Sequence, residues 1–262
     1  MGAILSISTT TVGEAIRRRV LLVILMIGVL LISIVPALSV LSARSDLTTT
    51  ISSMLFVLRI VSVLIAIVLT VYMIPNEIER RTIYTILSKP VQRWQFLVGK
   101  YLGAVLALGL MIGLMAGVML ILFYFFKHPP MERMLDLLRQ AILYFIGVSL
   151  LAAVAIFFST FVTPLVNFFL SAGVWGVGSL LNPLYDSFAN NQGSAPIIRG
   201  MAKFVTSILP NFSNYDVKNP IINPGVTIQN ETTYYLGTAG YGLLYITILI
   251  IAGILIFDRR EV

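Results

Sequence analysis

Of the 262 residues, 58% are hydrophobic and only 11% charged, with a mean hydropathy of +0.96; a soluble domain has about 25% charged residues, so this composition belongs to an integral membrane protein. The net charge of +7 would suggest nucleic acid in a soluble chain, but here the cations flank apolar runs and read as topology signals, so no nucleic-acid partner is expected. Cysteine is absent and His128 is the single histidine, which excludes disulfides, thiol catalysis and cysteine metal sites; no catalytic residue, cofactor site or metal site is expected in the chain itself.

Residues 1–19 form a short polar lead ending in Arg17-Arg18-Arg19. Thr11-x-x-Glu14 has capping-box spacing, so an amphipathic N-terminal helix is expected to start there and lie on the cytoplasmic surface. Met1-Gly2 with Ser6 also fits a short myristoylation pattern. Val20–Ala43 is too long for the apolar core of a signal peptide, about 7–15 residues, and is expected to remain as span 1, with Pro36 in its outer half. Span 2 is residues 51–74 and contains Arg59. A charge inside an apolar run is a candidate for a functional role, yet Arg59 lies about 12 Å from the outer end at 1.5 Å per residue. It is equally able to snorkel to the headgroups.

Residues 75–100 interrupt the apolar pattern with PNEIERRTIYTILSKPVQRWQFLVGK. Glu77 to Leu87 has helical order, with Ile83, Ile86 and Leu87 on one side and Glu77, Arg80, Arg81 and Tyr84 outside it. Pro90 disfavours helix at Lys89, and a second helical segment from about Val91 runs into span 3, with Lys100 reaching for headgroups or a partner. Span 3, residues 101–126, carries Gly109, Gly113 and Gly117 at four-residue spacing, a smooth stripe for close helix packing.

The KHPPMERMLDLLR stretch at 127–139 reads as a connection, with Pro129-Pro130 stopping the helix and His128 solvated or interfacial. Spans 4 and 5, residues 140–161 and 163–184, follow as a hairpin, and residues 185–232 form the longest polar stretch. Within it Ile197, Met201, Phe204, Val205 and Ile208 repeat at helical spacing, with Arg199 and Lys203 opposite. This is a short amphipathic helix, lying on the outer membrane surface or packed as a lid on the bundle. Asn211-Phe-Ser and Asn230-Glu-Thr are sequons. Span 6 is residues 234–257. With the N-terminus cytoplasmic, ten of the eighteen Lys and Arg fall in short cytoplasmic segments and seven in longer outer ones, so the positive-inside rule places both termini and the 75–100 island in the cytoplasm.

The Glu77-x-Glu79-Arg80-Arg81-Thr82-Ile83 run, followed by Leu87-Ser88-Lys89-Pro90-Val91-x-Arg93-Trp94-x-Phe96-Leu97-x-Gly99-Lys100, resembles the signature of permease subunits of type-2 ABC transporters. The branch that includes permeases associated with multicopper-enzyme maturation is the most similar. Glu14-Ala15-x-Arg17-Arg18-Arg19, Leu209-Pro210-Asn211-Phe212 and the basic C-terminal end fit as well, although many relatives carry Gly where this chain has Arg81. The resemblance implies an all-α, six-span permease covering residues 1–262 as one domain, which dimerises with a second copy or paralogue and rests on a separate cytoplasmic ABC ATPase. ATP and Mg would belong to that partner, and this chain has no G-x-x-x-x-G-K-[ST] phosphate loop. Glu77–Leu87 would then be the coupling helix, with Glu79, Thr82, Lys89 and Arg93 beside Glu77, Arg80, Arg81 and Tyr84 as candidate coupling residues.

Expected function is export or transmembrane movement of a substrate across a bacterial or archaeal cytoplasmic membrane. The alternative is a membrane anchor that transmits ATPase-driven force to an extracytoplasmic protein without moving a substrate. An intramembrane enzyme is disfavoured, because the spans carry no G-x-S-x-G, no H-E-x-x-H and no membrane-buried acid pair.

Overall fold

A run of about 20 apolar residues in a bilayer satisfies its backbone groups within its own helix, and helices are what these runs form. The computed structural model describes residues 2–41, 47–79, 92–189, 196–216 and 230–259. In chain order the helices are α1 (Gly2–Arg17), α2 (Arg19–Leu41), α3 (Leu47–Val71), α4 (Pro75–Glu79), α5 (Arg93–Lys127), α6 (Met131–Ser159), α7 (Pro164–Ser179), α8 (Leu181–Leu184), α9 (Pro196–Ile208) and α10 (Glu231–Arg259). A π-helical turn, Tyr185–Ala189, follows α8, and a 3-10 turn, Phe212–Tyr215, follows α9. Among the described residues no strand is present.

Helices α3 and α6 pack on each other at the centre. Leu55, Leu58, Ile65, Ala66 and Leu69 of α3 and Leu150, Leu151, Ala152, Ala155 and Ile156 of α6 are fully buried. Around this pair stand α2, α5, α7 and α10. Their outer sides carry exposed apolar residues, among them Met26 and Leu30 on α2, Leu106 and Leu110 on α5, and Leu243, Ile251 and Leu255 on α10. A soluble protein rarely shows apolar surface on this scale; here it is the lipid-facing side. Among the described residues five helical stretches are long and apolar enough to cross a membrane, Arg19–Pro36, Thr48–Glu77, Arg93–Phe126, Met131–Ser159 and Glu231–Arg259.

The expected fifth span is interrupted. Helix α7 stops at Ser179 after 16 residues, short of the roughly 20 that a span needs. Pro183 has no N–H to return to the Ser179 carbonyl, and that oxygen instead accepts the Ser213 hydroxyl at 2.8 Å. Segment 211–216 thus caps the end of α7, and the chain continues after Leu180 in the short α8. The side chain of Asn167 anchors α7 to α6 by donating to Ala155 O at 2.9 Å.

Two boundaries also differ from the sequence reading. The MERMLDLLR stretch is the first part of α6, which starts directly after Pro130 at φ −61°, so the connection is only a few residues long. Thr11 does not start a helix. It sits inside α1, and its hydroxyl donates to Ile7 O at 2.7 Å, because α1 extends back to Gly2 and lies along α5.

That contact depends on two glycines. A Cβ on Gly99 would fall 2.9 Å from the Ile7 side chain, and one on Gly103 would fall 2.5 Å from Thr11 Cβ and 2.8 Å from Ser8 O. The close approach lets the Ser8 hydroxyl donate to Gly99 O at 3.1 Å. Gly103→Val is therefore expected to lower fold stability by about 1–3 kcal/mol, the usual cost of overpacking. Gly113 has no atom within 4 Å of an added Cβ, so Gly113→Ala should stay within about 0.5 kcal/mol. Thermal unfolding of the two variants in detergent tests the contrast; equal midpoints would remove Gly103 from the interface.

Candidate functional site

Two polar junctions lie along the central helices, one at the α4 end and one midway along α3. The first gathers α1, α4 and α5. Lys100 is 3% exposed, and a buried amine is tolerated only when paired. Its Nζ lies 2.7 Å from Glu77 Oε1 and 3.4 Å from Glu14 Oε2, with the Phe96 ring centroid at 5.9 Å. Glu77 is largely covered, whereas Glu14 is half exposed, so the Glu77 pair carries most of the interaction; exposed pairs contribute little. The sequence reading sent Lys100 toward headgroups or a partner and left Glu77 outside the apolar side. The Gly99 and Gly103 contact brings α1 over this end of α5, and both charges turn inward to each other.

Arg93 opens α5 and closes another element. Its Nη1 donates to Phe257 O at 3.0 Å and Asp258 O at 3.1 Å, a cation on the last carbonyls of α10, where the helix dipole favours it. Gln92 and Gln95 complete a reciprocal capping box at the same helix start. Glu79 ends α4. The remaining candidate coupling residues, Arg80, Arg81, Thr82, Tyr84 and Lys89, lie outside the described residues, as does most of the expected helix Glu77–Leu87.

The second junction is built around Arg59 on α3. Its guanidinium pairs with Asp216 and lies 5.5 Å from the Trp175 ring centroid. Tyr144 OH donates to the other Asp216 oxygen at 2.6 Å, and Gln140 Nε2 donates to Tyr215 O at 2.6 Å. Asp216 closes segment 211–216, which enters the bundle between α6, α7 and α10. Glycines make the room. A Cβ on Gly178 would meet Phe212 at 2.5 Å, and one on Gly242 would meet Tyr215 OH at 2.6 Å. Tyr215 OH donates to Thr238 O at 3.3 Å. Asn211 N–H donates to Tyr241 OH at 2.9 Å, and Tyr234 OH donates to Asn214 O at 2.8 Å. Arg59 therefore pairs inside the protein and does not snorkel.

Sequence reasoning found Arg59 but missed Asp216, Tyr144 and Gln140. It also missed Gly99 and Gly103, although their four-residue spacing was a readable signal. Of the stripe it did select, Gly109 touches only the Phe145 ring edge at 3.3 Å from an added Cβ, and Gly113 and Gly117 meet nothing within 4 Å. Gly109 instead lines an apolar crevice of about 510 Å³ with Thr9, Val12, Leu106, Leu110 and Phe145. His128 adopts a left-handed conformation at φ 41° as the C-cap of α5, with its ring edge-on to Tyr124 at 5.8 Å.

Residues 57–262 match the family model described as ABC-2 family transporter protein. No curated protein matches the chain.

The Arg59 junction has a distinctive energetic signature. Removing one partner of a buried pair leaves an uncompensated charge, at a cost of about 3–5 kcal/mol, whereas replacing both with apolar groups is near neutral. Arg59→Ala or Asp216→Ala should each lower the unfolding midpoint strongly, and Arg59→Met combined with Asp216→Leu should recover most of the loss. A double replacement as damaging as the sum of the single ones would show that the two side chains act independently.

Proposed function

The chain belongs to the ABC-2 family of transporter membrane proteins, and from that premise we propose that it is a six-span permease subunit coupled at the Lys100 junction to a separate cytoplasmic ATPase. Membership supports a multi-pass membrane component of an ABC transporter, with the ATPase and a second permease as its usual partners. The observation that carries the coupling role is the Glu77–Lys100–Glu14 contact. It ties the start of the 75–100 island to α1 and to the first turns of α5. A push on the island therefore reaches three helices at once. In this reading Glu77, Glu79, Arg80, Arg81, Thr82, Tyr84 and Lys89 lie on or beside the seat of the ATPase, which supplies ATP and Mg, and Arg93 passes the movement to the end of α10.

The second copy or paralogue would pack on the outward face of α5 along the Gly109, Gly113 and Gly117 stripe, where Gly113 and Gly117 have no neighbour from the chain's own helices and Gly109 meets only the Phe145 ring edge. With α7, α8 and the π-helical turn together serving as the fifth span, six spans place both termini in the cytoplasm, and a bacterial or archaeal cytoplasmic membrane fits this topology. The movement drives export or transfer of a substrate. Force transmission to an extracytoplasmic protein shares the same junction and differs only in the load at the far end; no observation favours it over transport. Within the family we propose the branch that includes permeases associated with multicopper-enzyme maturation, which the 77–100 motif resembles.

Replacing Glu77, Glu79 and Arg80 together by Ala is expected to reduce permease-stimulated ATP hydrolysis by the co-purified ATPase to the unstimulated rate, with membrane insertion intact. Lys100→Met should have the same effect through the other side of the contact. Stimulation that survives both replacements would move the coupling point elsewhere.

A further inference from the structure

Helix α1 touches α5 closely at Gly99 and Gly103, and further along the two helices a gap remains. It is the apolar crevice of about 510 Å³, lined by Thr9 and Val12 from α1, Leu106, Gly109 and Leu110 from α5, and Phe145 from α6. The Thr9 hydroxyl is satisfied within α1, donating to Leu5 O and Ser6 O at 3.0 Å. No other polar side chain lines the crevice, so it suits hydrocarbon and not a polar ligand. It opens on the lipid-facing side, where Leu106 is 55% and Leu110 59% exposed. Leu5 and Ile16 share the Thr9 and Val12 side of α1 at helical spacing, and both are exposed as well.

The same helix ends at Arg17; Arg18 follows at the break, and Arg19 opens α2. Arg17 and Arg19 are exposed and Arg18 is half-buried. Among the described residues none of the three side chains has an acid or a hydrogen-bond acceptor, and Glu14, the nearest acid along the chain, is engaged with Lys100. Guanidinium forks match phosphate oxygens. Val12 and Arg17 are about 8 Å apart along α1 at 1.5 Å per residue, and the headgroup layer over one leaflet is about 5–8 Å deep. The cations and the crevice are therefore spaced like the phosphate and the upper acyl chain of one lipid. We propose that this corner binds an anionic phospholipid, with its phosphate on Arg17, Arg18 and Arg19 and one acyl chain in the crevice between α1, α5 and α6. The lipid braces α1 against α5 beyond the reach of Gly99 and Gly103. Gly113 and Gly117 do not line the crevice and stay clear for a second copy.

Native mass spectrometry of the full-length protein, stripped of lipid in a nonionic detergent and titrated with phosphatidylglycerol or with phosphatidylcholine of the same acyl chains, tests the site. Phosphatidylglycerol is expected to bind in preference to phosphatidylcholine, and glycerol phosphate, which has the charge but no acyl chain, is expected not to displace it. One basic residue near an anionic surface is worth about fivefold in affinity. Arg17→Gln, Arg18→Gln and Arg19→Gln should therefore each weaken phosphatidylglycerol by about that factor and leave phosphatidylcholine unchanged. Thr9→Trp, which fills the crevice from an exposed position, should weaken phosphatidylglycerol with all three arginines in place. Equal binding of the two lipids, or an affinity that the three Gln variants do not move, would overturn the role of the arginines. An affinity unmoved by Thr9→Trp would overturn the acyl-chain seat, and displacement by glycerol phosphate would reduce the site to one for phosphate alone. The chain has no cysteine, so Leu106→Cys supplies a last check: disulfide crosslinking between copies would give the crevice to a second copy and overturn the proposal.

Discussion

A charge enclosed by helices in hydrocarbon is held only together with its counter-charge, and that requirement fixes the rod made by α3 and α4 at two levels. Midway along α3 Arg59 binds Asp216; eighteen residues further on, in α4, Glu77 binds Lys100. Neither partner lies on α3 or α4. Asp216 arrives on the segment that follows α9, and Lys100 on α5, so satisfying the two charges brings together parts of the chain that no apolar contact would place in register. Apolar side chains hold the helices side by side but tolerate sliding and rotation, since one Leu against lipid is much like another. The two ion pairs remove that freedom. The pair at Arg59 sets the rotation of α3 and with it the faces that α3 offers to α6, and the pair at Glu77 does the same for α4.

Glycine performs the complementary task. Where Gly99 and Gly103 let α1 approach α5, backbone comes close enough for a Ser8 hydroxyl to reach the Gly99 carbonyl. The same device recurs at the other junction, where Gly178 and Gly242 admit Phe212 and Tyr215. In both places the glycines clear space and a polar group then occupies it with a specific bond. The short α7 belongs to this pattern. Pro183 withholds a donor, Ser213 supplies one, and the helix ends where segment 211–216 begins to pack.

The sequence carried the spans plainly because their signal is local: about 20 consecutive apolar residues are legible without knowing any neighbour. Arg59 was legible for the same reason, as one charge in an apolar run. Its partner was not, because Asp216 is 157 residues away and sits among loop residues where an acid is unremarkable. Thr11 misled because Thr-x-x-Glu has the same spacing at a helix start and inside a helix, and only the extension of α1 to Gly2 separates the two. The glycine stripe at 109, 113 and 117 shows a related limit. Spacing identifies a smooth face but not which neighbour uses it, and within the chain the neighbour-bearing pair is Gly99 and Gly103.

The position of Lys100 bears on how movement can cross the membrane. A side chain 3% exposed with Glu77 on one side and Glu14 on the other cannot leave one acid without either following the other or being stranded in an apolar setting. Displacement of α4 is thus opposed by a restoring interaction, and the cheapest response is for α1, α4 and the first turns of α5 to move together. Because α5 runs 35 residues without a break, tilting its first turns swings its far end, beside the Pro129-Pro130 turn into α6. Helix α6 carries Tyr144 and Gln140, which hold segment 211–216. A displacement that begins at the Lys100 junction therefore reaches the Arg59 junction by two routes, directly along α3 and through α5 and α6. Relative motion of these routes would shear the Arg59–Asp216 pair, so the low-cost motion is one in which α3, α5 and α6 move as a body.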